Sequence, residues 1–329
     1  VLRRVLAAML GLPPEKVVVE STPIGGGFGG KGYPKLEPAA AAASLALGRP
    51  LKICLDAEES FLTGQREASD IRIRTGFTFS GDLVFQDIDA DYLVGAYTDI
   101  SPVVVAKTTR YAFGPYRTPH GRSRGRGLFT TTPPTTAFRG FGASHINMAV
   151  EGQFQAAAAR LGMDPLALRL RNVRERGEEI VPGDRPADGD WGALLRRVAA
   201  EAGWDAPRLP GRGRGIAFGM KANAATTSST GRVEVDADGR VTAYAGCTEM
   251  GQGTRHGLAR VVARVLGLEP ASVAVILGDT GRVPADSWTA SSRATTFNAN
   301  ALQAAADKVA ARLCGLAEAH LGAPAGRAA

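Results

Sequence analysis

Apolar and polar positions recur with two different periods along this 329-residue chain, and the period marks the elements. Leu2–Leu10 has the three- and four-residue spacing of an amphipathic helix, stopped by Gly11-Leu12-Pro13-Pro14, and 16–20 reads as a strand. A glycine-rich loop from Gly25 to Gly30 follows. Alanine-rich Glu37–Leu47 is predicted to be helical up to Gly48, and 51–55 a buried strand. Segments 71–79 and 83–90 alternate around Ser80-Gly81-Asp82, the pattern of a hairpin. The stretch bearing Pro115, Pro119, Pro133 and Pro134 reads as extended or irregular. Ser144 is the expected N-cap of a helix to Leu161, and Asp164-Pro165 starts another. An amphipathic helix is expected at 194–202, then a Gly/Arg/Pro hinge at 208–215 and a hairpin of 233–235 with 241–245 across Asp238-Gly239. A helix at 256–266, a strand at 273–277 and a long helix from about Ala299 complete the pattern.

One segment occurs twice. Residues 2–19 align with 258–275 at a constant offset of 256, and 10 of the 18 positions keep their residue type, including Leu10-Gly11-Leu12 and Pro14. The period is far too long for a solenoid. It predicts a helix–LGLxP–strand unit used once in each of two lobes. The expected division is 1–175, a linker at 176–214, and 215–329, with a site between the lobes.

Composition narrows the class. Glycine, at 41 residues, is well above its usual share of ~7%, which points to tight turns or close approach of backbone to a ligand. No run of apolar residues is long enough to span a membrane. Cys54, Cys247 and Cys314 are scattered, without metal-binding spacing, and fit a reducing cytoplasm as small buried hydrophobes. The net charge of +7 is local: 100–150 holds no Asp or Glu but seven Lys and Arg, so the remainder is balanced. A nucleic-acid binder would spread its charge differently. The run Arg122, Arg124, Arg126 is read as support for an anionic cofactor or a partner subunit.

The glycine loop imitates two nucleotide motifs. As G-x-x-x-x-G-K it lacks the final Ser/Thr, because Gly32 stands there, and no helix starts directly after it. As G-x-G-x-x-G (Gly25, Gly27, Gly30), with Asp56 as a ribose-binding acid, it gives the alternative reading of a NAD(P)-binding Rossmann-type oxidoreductase. Yet Thr22-Pro23-Ile24 and 31–36 separate the loop from the strand and helix that such a fold needs. What survives is approachable backbone with Phe28 among five glycines. His145 and His256 read as surface residues at helix N-termini, Glu151 and Glu249 as solvated carboxylates, and Trp288 as a packing residue able to shape a pocket.

Three more segments mix glycine or small residues with polar ones in the same way. They are Thr136-Ala137-Phe138-Arg139-Gly140-Phe141-Gly142, Glu249-Met250-Gly251-Gln252-Gly253-Thr254 and Thr289-Ala290-Ser291-Ser292-Arg293. With GGGFGGK, and in this order, they resemble the molybdopterin-binding large subunit of the xanthine dehydrogenase/aldehyde oxidase molybdenum hydroxylases. The resemblance implies a central fragment of that subunit. Its fold class would be α+β, a two-lobed molybdenum-cofactor-binding domain of mixed sheets and helices. It implies no protein metal ligand, since the pterin dithiolene holds molybdenum, and it favours the cytosine dinucleotide form of the cofactor. Phe28, Arg139 and Phe141 would serve the reaction. Gly27, Phe28, Gly29, Arg139, Met250, Gly251, Gln252, Gly253, Ala290, Ser291 and Ser292 would hold the cofactor. Expected partners are a 2Fe-2S subunit and a FAD subunit, with water as oxygen source and aldehydes or N-heterocyclic aromatics as substrates.

Departures sharpen the expectation. Gly32 replaces the Glu that xanthine-type members carry after the loop lysine, Lys107 stands for an arginine, and Gly140 replaces the Cys of the CO-oxidising branch. No G-x-G-E, the family's general-base motif, occurs in the sequence. The chain is therefore expected to be inactive alone, with another chain supplying the Glu.

Overall fold

The computed structural model describes residues 1–179, 181–183, 186–207, 209–221 and 227–322. Residues 180, 184 and 185 of the expected linker, Arg208 of the expected hinge, and the C-terminal 323–329 lie outside the described residues. In chain order the first elements are α1 (Leu2–Leu10), α2 (Glu37–Leu47), α3 (Ala57–Thr63), β1 (Ala68–Phe77), β2 (Leu83–Gly95), α4 (Ser101–Arg110) and β3 (His120–Phe129). Then come α5 (Ala143–Leu161), α6 (Pro165–Asn172), α7 (Trp191–Glu201), β4 (Gly231–Val235), β5 (Val241–Ala245), α8 (Thr254–Leu266), β6 (Val273–Leu277) and α9 (Ala299–Leu321).

The chain packs as two compact units: Val1–Leu55 with Asn223–Ala329, and Asp56–Ala222. The expected division is linear; this one is discontinuous, because the N-terminal segment folds with the C-terminal one. Each unit is built on a three-stranded sheet of the same pattern. β1 and β2 pair antiparallel and β2 and β3 parallel, with α4 as the crossover; β4, β5 and β6 repeat this with α8 as the crossover. A mixed sheet of this kind is not the doubly wound parallel sheet of a Rossmann fold. Asp56, the candidate ribose acid, instead caps α3: its side chain accepts from the backbone N–H of Glu59, whose own carboxylate accepts from the N–H of Asp56.

In the central unit, α5 lies over the sheet. Ile88, Tyr116, Ile146, Phe154 and Leu168 are fully buried in its core, and such burial stabilises by roughly 1.5–3 kcal/mol per large side chain. The two faces of β3 differ. Arg122, Arg124 and Arg126 stand opposite Asp87, Asp89 and Asp91 of β2, register for register, and pair with them at 2.6 Å. The arginine run is thus a cross-strand ion ladder, not a free basic patch. Its guanidinium groups hydrogen-bond the Asp87 and Asp91 carboxyls and keep them below the usual carboxylate range. The other face carries Gly121, Gly125 and Gly127, where added Cβ atoms would run into Phe113, Thr109 and Val94. At Gly125 that close approach seats α4, which lies near the start of the basic 100–150 stretch.

Other boundaries also shift. The N-cap of α5 is Gly142, at φ 84°, rather than Ser144. Segment 51–55 forms no strand; Leu51, Ile53 and Cys54 are exposed, while Cys247 is buried and its thiol pushed up to about 12 by desolvation. In 16–20 only Glu20 makes a bridge, to Asp279.

That bridge explains the repeat. Both copies end their helix on a left-handed glycine (Gly11 φ 65°, Gly267 φ 68°), then turn through a short 3-10 segment into extended valines. They do not divide between lobes. The backbone N–H of Ser21 donates to Gly278 O at 2.9 Å and that of Thr280 to Val19 O at 3.0 Å, so the two copies pack together in one unit.

Candidate functional site

Positive φ is rare outside glycine, and for a bulky residue it is strained. Among the described residues only four non-glycine residues adopt it: Phe28 (51°), Phe141 (50°), Ser291 (53°) and Ser292 (55°). All four lie in the loops singled out above, and such strain gathers where a backbone is held for a ligand.

Three of the four loops meet in the unit that joins the chain ends. The N–H of Ile24 donates to Glu249 O and that of Gly26 to Met250 O, stitching the glycine loop to the Met250 turn. Gly27 packs against Met250: a Cβ there would lie 2.8 Å from the Met250 sulfur and force that side chain to move. Phe28 folds back over Gly26 and still exposes 62% of its surface, an apolar face offered outward. Gly29, at φ 110°, closes the turn. Thr289 Oγ accepts from the N–H of Thr248, which ties in the Ser291 loop, and Trp288 sets its ring edge-to-face on Tyr33 beside Gly32.

The Met250 turn is more occupied than expected. The N–H groups of Gly251, Gly253 and Arg255 all donate to the Glu249 carboxylate. Desolvation works against ionisation there, but these donors outweigh it and hold Glu249 below its usual range. Glu249 is therefore a partly exposed, loop-closing anion and not poised as a base. Gln252 accepts from the Met250 N–H and donates to Thr248 O, leaving one amide hydrogen to offer. Behind Ala290, Ser291 and Ser292, Arg293 is 2% exposed and bonds Asp286, Ser228 O and Ser229 Oγ. It anchors the strained turn to the π-helical turn Ala294–Asn298 that leads into α9.

The fourth loop belongs to the central unit. Phe141 and Arg139 sit between Gly140 (φ 101°) and Gly142 or beside them, and Gly142 lies flat against Val104 and Thr108 of α4. Beneath the loop, His145 Nε2 meets Glu67 O at 3.0 Å, so His145 is a partly buried support and not a surface residue. Glu151 is likewise no solvated carboxylate. It is buried, accepts a hydrogen bond from the Tyr116 hydroxyl, and pairs with buried Arg169 at 2.8 Å. Nothing in its helix-face position signals this, because its partners lie on other elements.

Glu67 is 3% exposed, with one carboxyl oxygen lacking a hydrogen-bond partner. Burial raises its pKa above the ordinary 4.5, so its contribution to stability is full in acid and is lost as pH rises through the raised value. His145 is shifted down, also by burial, and costs stability as pH falls through its lowered value. Glu67→Gln, neutral at every pH, is expected to raise the melting temperature by a few degrees at pH 8 and to leave it unchanged near pH 4. Melting curves at the two pH values check this.

Apart from the exposed cations Lys31 and Arg139, the donors these loops present are neutral: backbone N–H groups, serine hydroxyls and one amide. Gly25, Gly251 and Gly253 have open space where a Cβ would stand, so backbone is left bare on that side. Among the described residues no three His, Cys, Asp or Glu converge as metal ligands, and no helix is long and apolar enough to cross a membrane. Such an array suits a flat ligand with anionic oxygens.

Comparison with known proteins agrees with that chemistry. A family model described as molybdopterin cofactor-binding domain matches residues 1–173, and a second of the same description matches 189–328. A probable xanthine dehydrogenase subunit of Bacillus subtilis is 32% identical over 91% of this chain and 41% of its own length. The nicotinate dehydrogenase large molybdopterin subunit of Eubacterium barkeri is 33% identical over 54% of this chain and 42% of its own. Quinoline 2-oxidoreductase from Pseudomonas putida shares the fold at a TM-score of 0.82 and 24% identity, over 98% of this chain and 44% of that one. The chain thus spans about two-fifths of the length of these relatives.

Proposed function

The chain belongs to the molybdopterin cofactor-binding domain family, and from this we propose that it is the cofactor-holding part of a molybdenum-dependent oxidoreductase. The observation that carries the proposal is the set of four left-handed residues, Phe28, Phe141, Ser291 and Ser292, all within the loops that the family resemblance singles out. The residues fit the group. Bare glycine backbone admits a flat pterin, and neutral donors suit its phosphate oxygens. When bound, the cofactor supplies two-electron redox chemistry at molybdenum, with water as the source of oxygen.

This chain's own residues bind and orient. Gly27 and Gly29 keep the backbone low beside Phe28, whose exposed ring would offer the bound group an apolar face. Met250 supports that loop from below, and Gly251-Gln252-Gly253 present the spare Gln252 amide hydrogen. Ala290, Ser291 and Ser292 would offer hydroxyls and backbone to the phosphates of the cofactor, which in the cytosine dinucleotide form number two. Arg139 supports the cofactor from its own loop, and Phe141 presents an edge to an aromatic substrate. The sequence contains no G-x-G-E, so we assign the general base to a segment outside these residues. A 2Fe-2S subunit and a FAD subunit would be the partners that take up the electrons. Gly32 in place of a clamping Glu, with nicotinate and quinoline named for two relatives, favours aldehydes or N-heterocyclic aromatics.

Arg139→Ala and Gln252→Ala, introduced into the native complex, are each expected to lower bound molybdenum and released CMP to less than half. Metal analysis and nucleotide release on acid treatment measure this. Full retention in both variants would refute these site assignments.

A further inference from the structure

We propose that Arg66 is a positioning residue that holds the Arg139–Phe141 loop in its strained turn; the proposal rests on the cofactor reading only for what that loop is for. Arg66 precedes β1 and is remote in sequence from the loop, yet three of its interactions converge there. Its guanidinium donates to Arg139 O at 2.5 Å and to Ser144 Oγ at 3.2 Å, and it lies 4.5 Å from the centre of the Phe138 ring. One planar group thus touches the loop on both sides of its strained centre, at Phe138 and Arg139 before it and at Ser144 after it.

Its neighbours complete a clamp from the same segment. The N–H of Gln65 donates to Pro134 O, the N–H of Thr136 donates to Gln65 O, and His145 Nε2 meets Glu67 O. Residues 65–67 therefore hold the entry to the loop, its carbonyl at Arg139, and the first turn of α5.

Geometry says why the loop needs this. Gly140 at φ 101°, Phe141 at φ 50° and Gly142 at φ 84° are successive left-handed residues, a conformation that a bulky Phe does not keep unless its surroundings impose it. The bonds of the loop's own backbone include the Phe141 N–H to Phe138 O and the Ala143 N–H to Gly140 O. A forked cation that bonds a carbonyl and a hydroxyl while lying on a ring fixes orientation as well as distance. A lysine, as a point charge, cannot do all three.

Hydrogen exchange in the native complex tests it. Arg66→Ala is expected to speed exchange at the amides of 138–144 about 10-fold while the β1–β2 hairpin keeps its protection. Arg66→Lys is expected to restore less than half of the lost protection. Unchanged exchange at 138–144 overturns the proposal, and so does full restoration by lysine or equal loss of protection in the hairpin. Molybdenum content of the same samples separates this from the cofactor reading. Fast exchange with full molybdenum supports Arg66 as the loop's clamp and removes the loop from the cofactor site. Lost molybdenum with unchanged exchange leaves the cofactor reading standing and overturns the role of Arg66.

Discussion

Glu151→Ala is expected to destabilise the protein by about 3–5 kcal/mol, because it leaves a buried arginine without its counter-ion. Arg169 is 1% exposed and sends its Nε to Glu151 Oε2 at 2.8 Å, and a further donor reaches Pro165 O. Tyr116, stacked on Phe154 with ring centres 3.7 Å apart, donates its hydroxyl to the other Glu151 oxygen. Desolvation, reinforced by the Glu151 charge, raises the Tyr116 pKa, so the phenol stays a donor throughout the working range. Removing one carboxylate orphans two buried groups at once. Replacing the pair together, Glu151→Met with Arg169→Met, is expected to recover most of the loss, since the desolvation cost of both charges goes with them. Denaturant midpoints of the two variants, each against wild type, measure it; equal losses in the single and double variants would overturn this reading of the pair.

A loss of similar size, about 3–5 kcal/mol, is expected for Asp286→Ala, and here function is tied to stability. The Asp286 and Arg293 side chains are essentially buried, 3.0 Å apart. Arg293 also donates to Ser287 O, Trp288 O, Ser228 O and Thr227 Oγ, while Asp286 accepts from Ser229 Oγ and the Ser287 N–H. The pair fastens the turn that carries Ser291 and Ser292. Without it, those residues can relax from positive φ. Asp286→Asn keeps an acceptor and loses the charge, so its cost should fall between wild type and alanine. Unfolding free energy ranks the variants, and molybdenum content should fall in the same order.

Local rules made much of this legible. The LGLxP unit could be read because glycine at a helix end followed by proline allows few geometries, and Gly267-Leu268-Glu269-Pro270 repeats what Gly11 does. The 71–90 hairpin and the long α9 followed from period alone. Partners remote in sequence were not legible. The sequence reading names no helix at 101–110, yet α4 forms there and sits close against Gly125 of β3. The arginine run looked like unbalanced charge, since only a parallel crossover register brings Asp87, Asp89 and Asp91 beside it. Positive φ at Phe28 or Phe141 has no sequence signature at all. The flanking glycines hinted that the backbone there does something unusual, but only the packed structure shows that the aromatic residue carries the strain.

On the proposed function, these strained loops hold a molybdenum–pterin nucleotide. Metal and nucleotide analysis of the native complex containing this chain tests it most directly. Molybdenum in equal number to chains, with CMP released on acid treatment in the same proportion, is the predicted result. A complex isolated without molybdenum, carrying tightly bound NAD or nucleoside triphosphate in its place, would contradict the account.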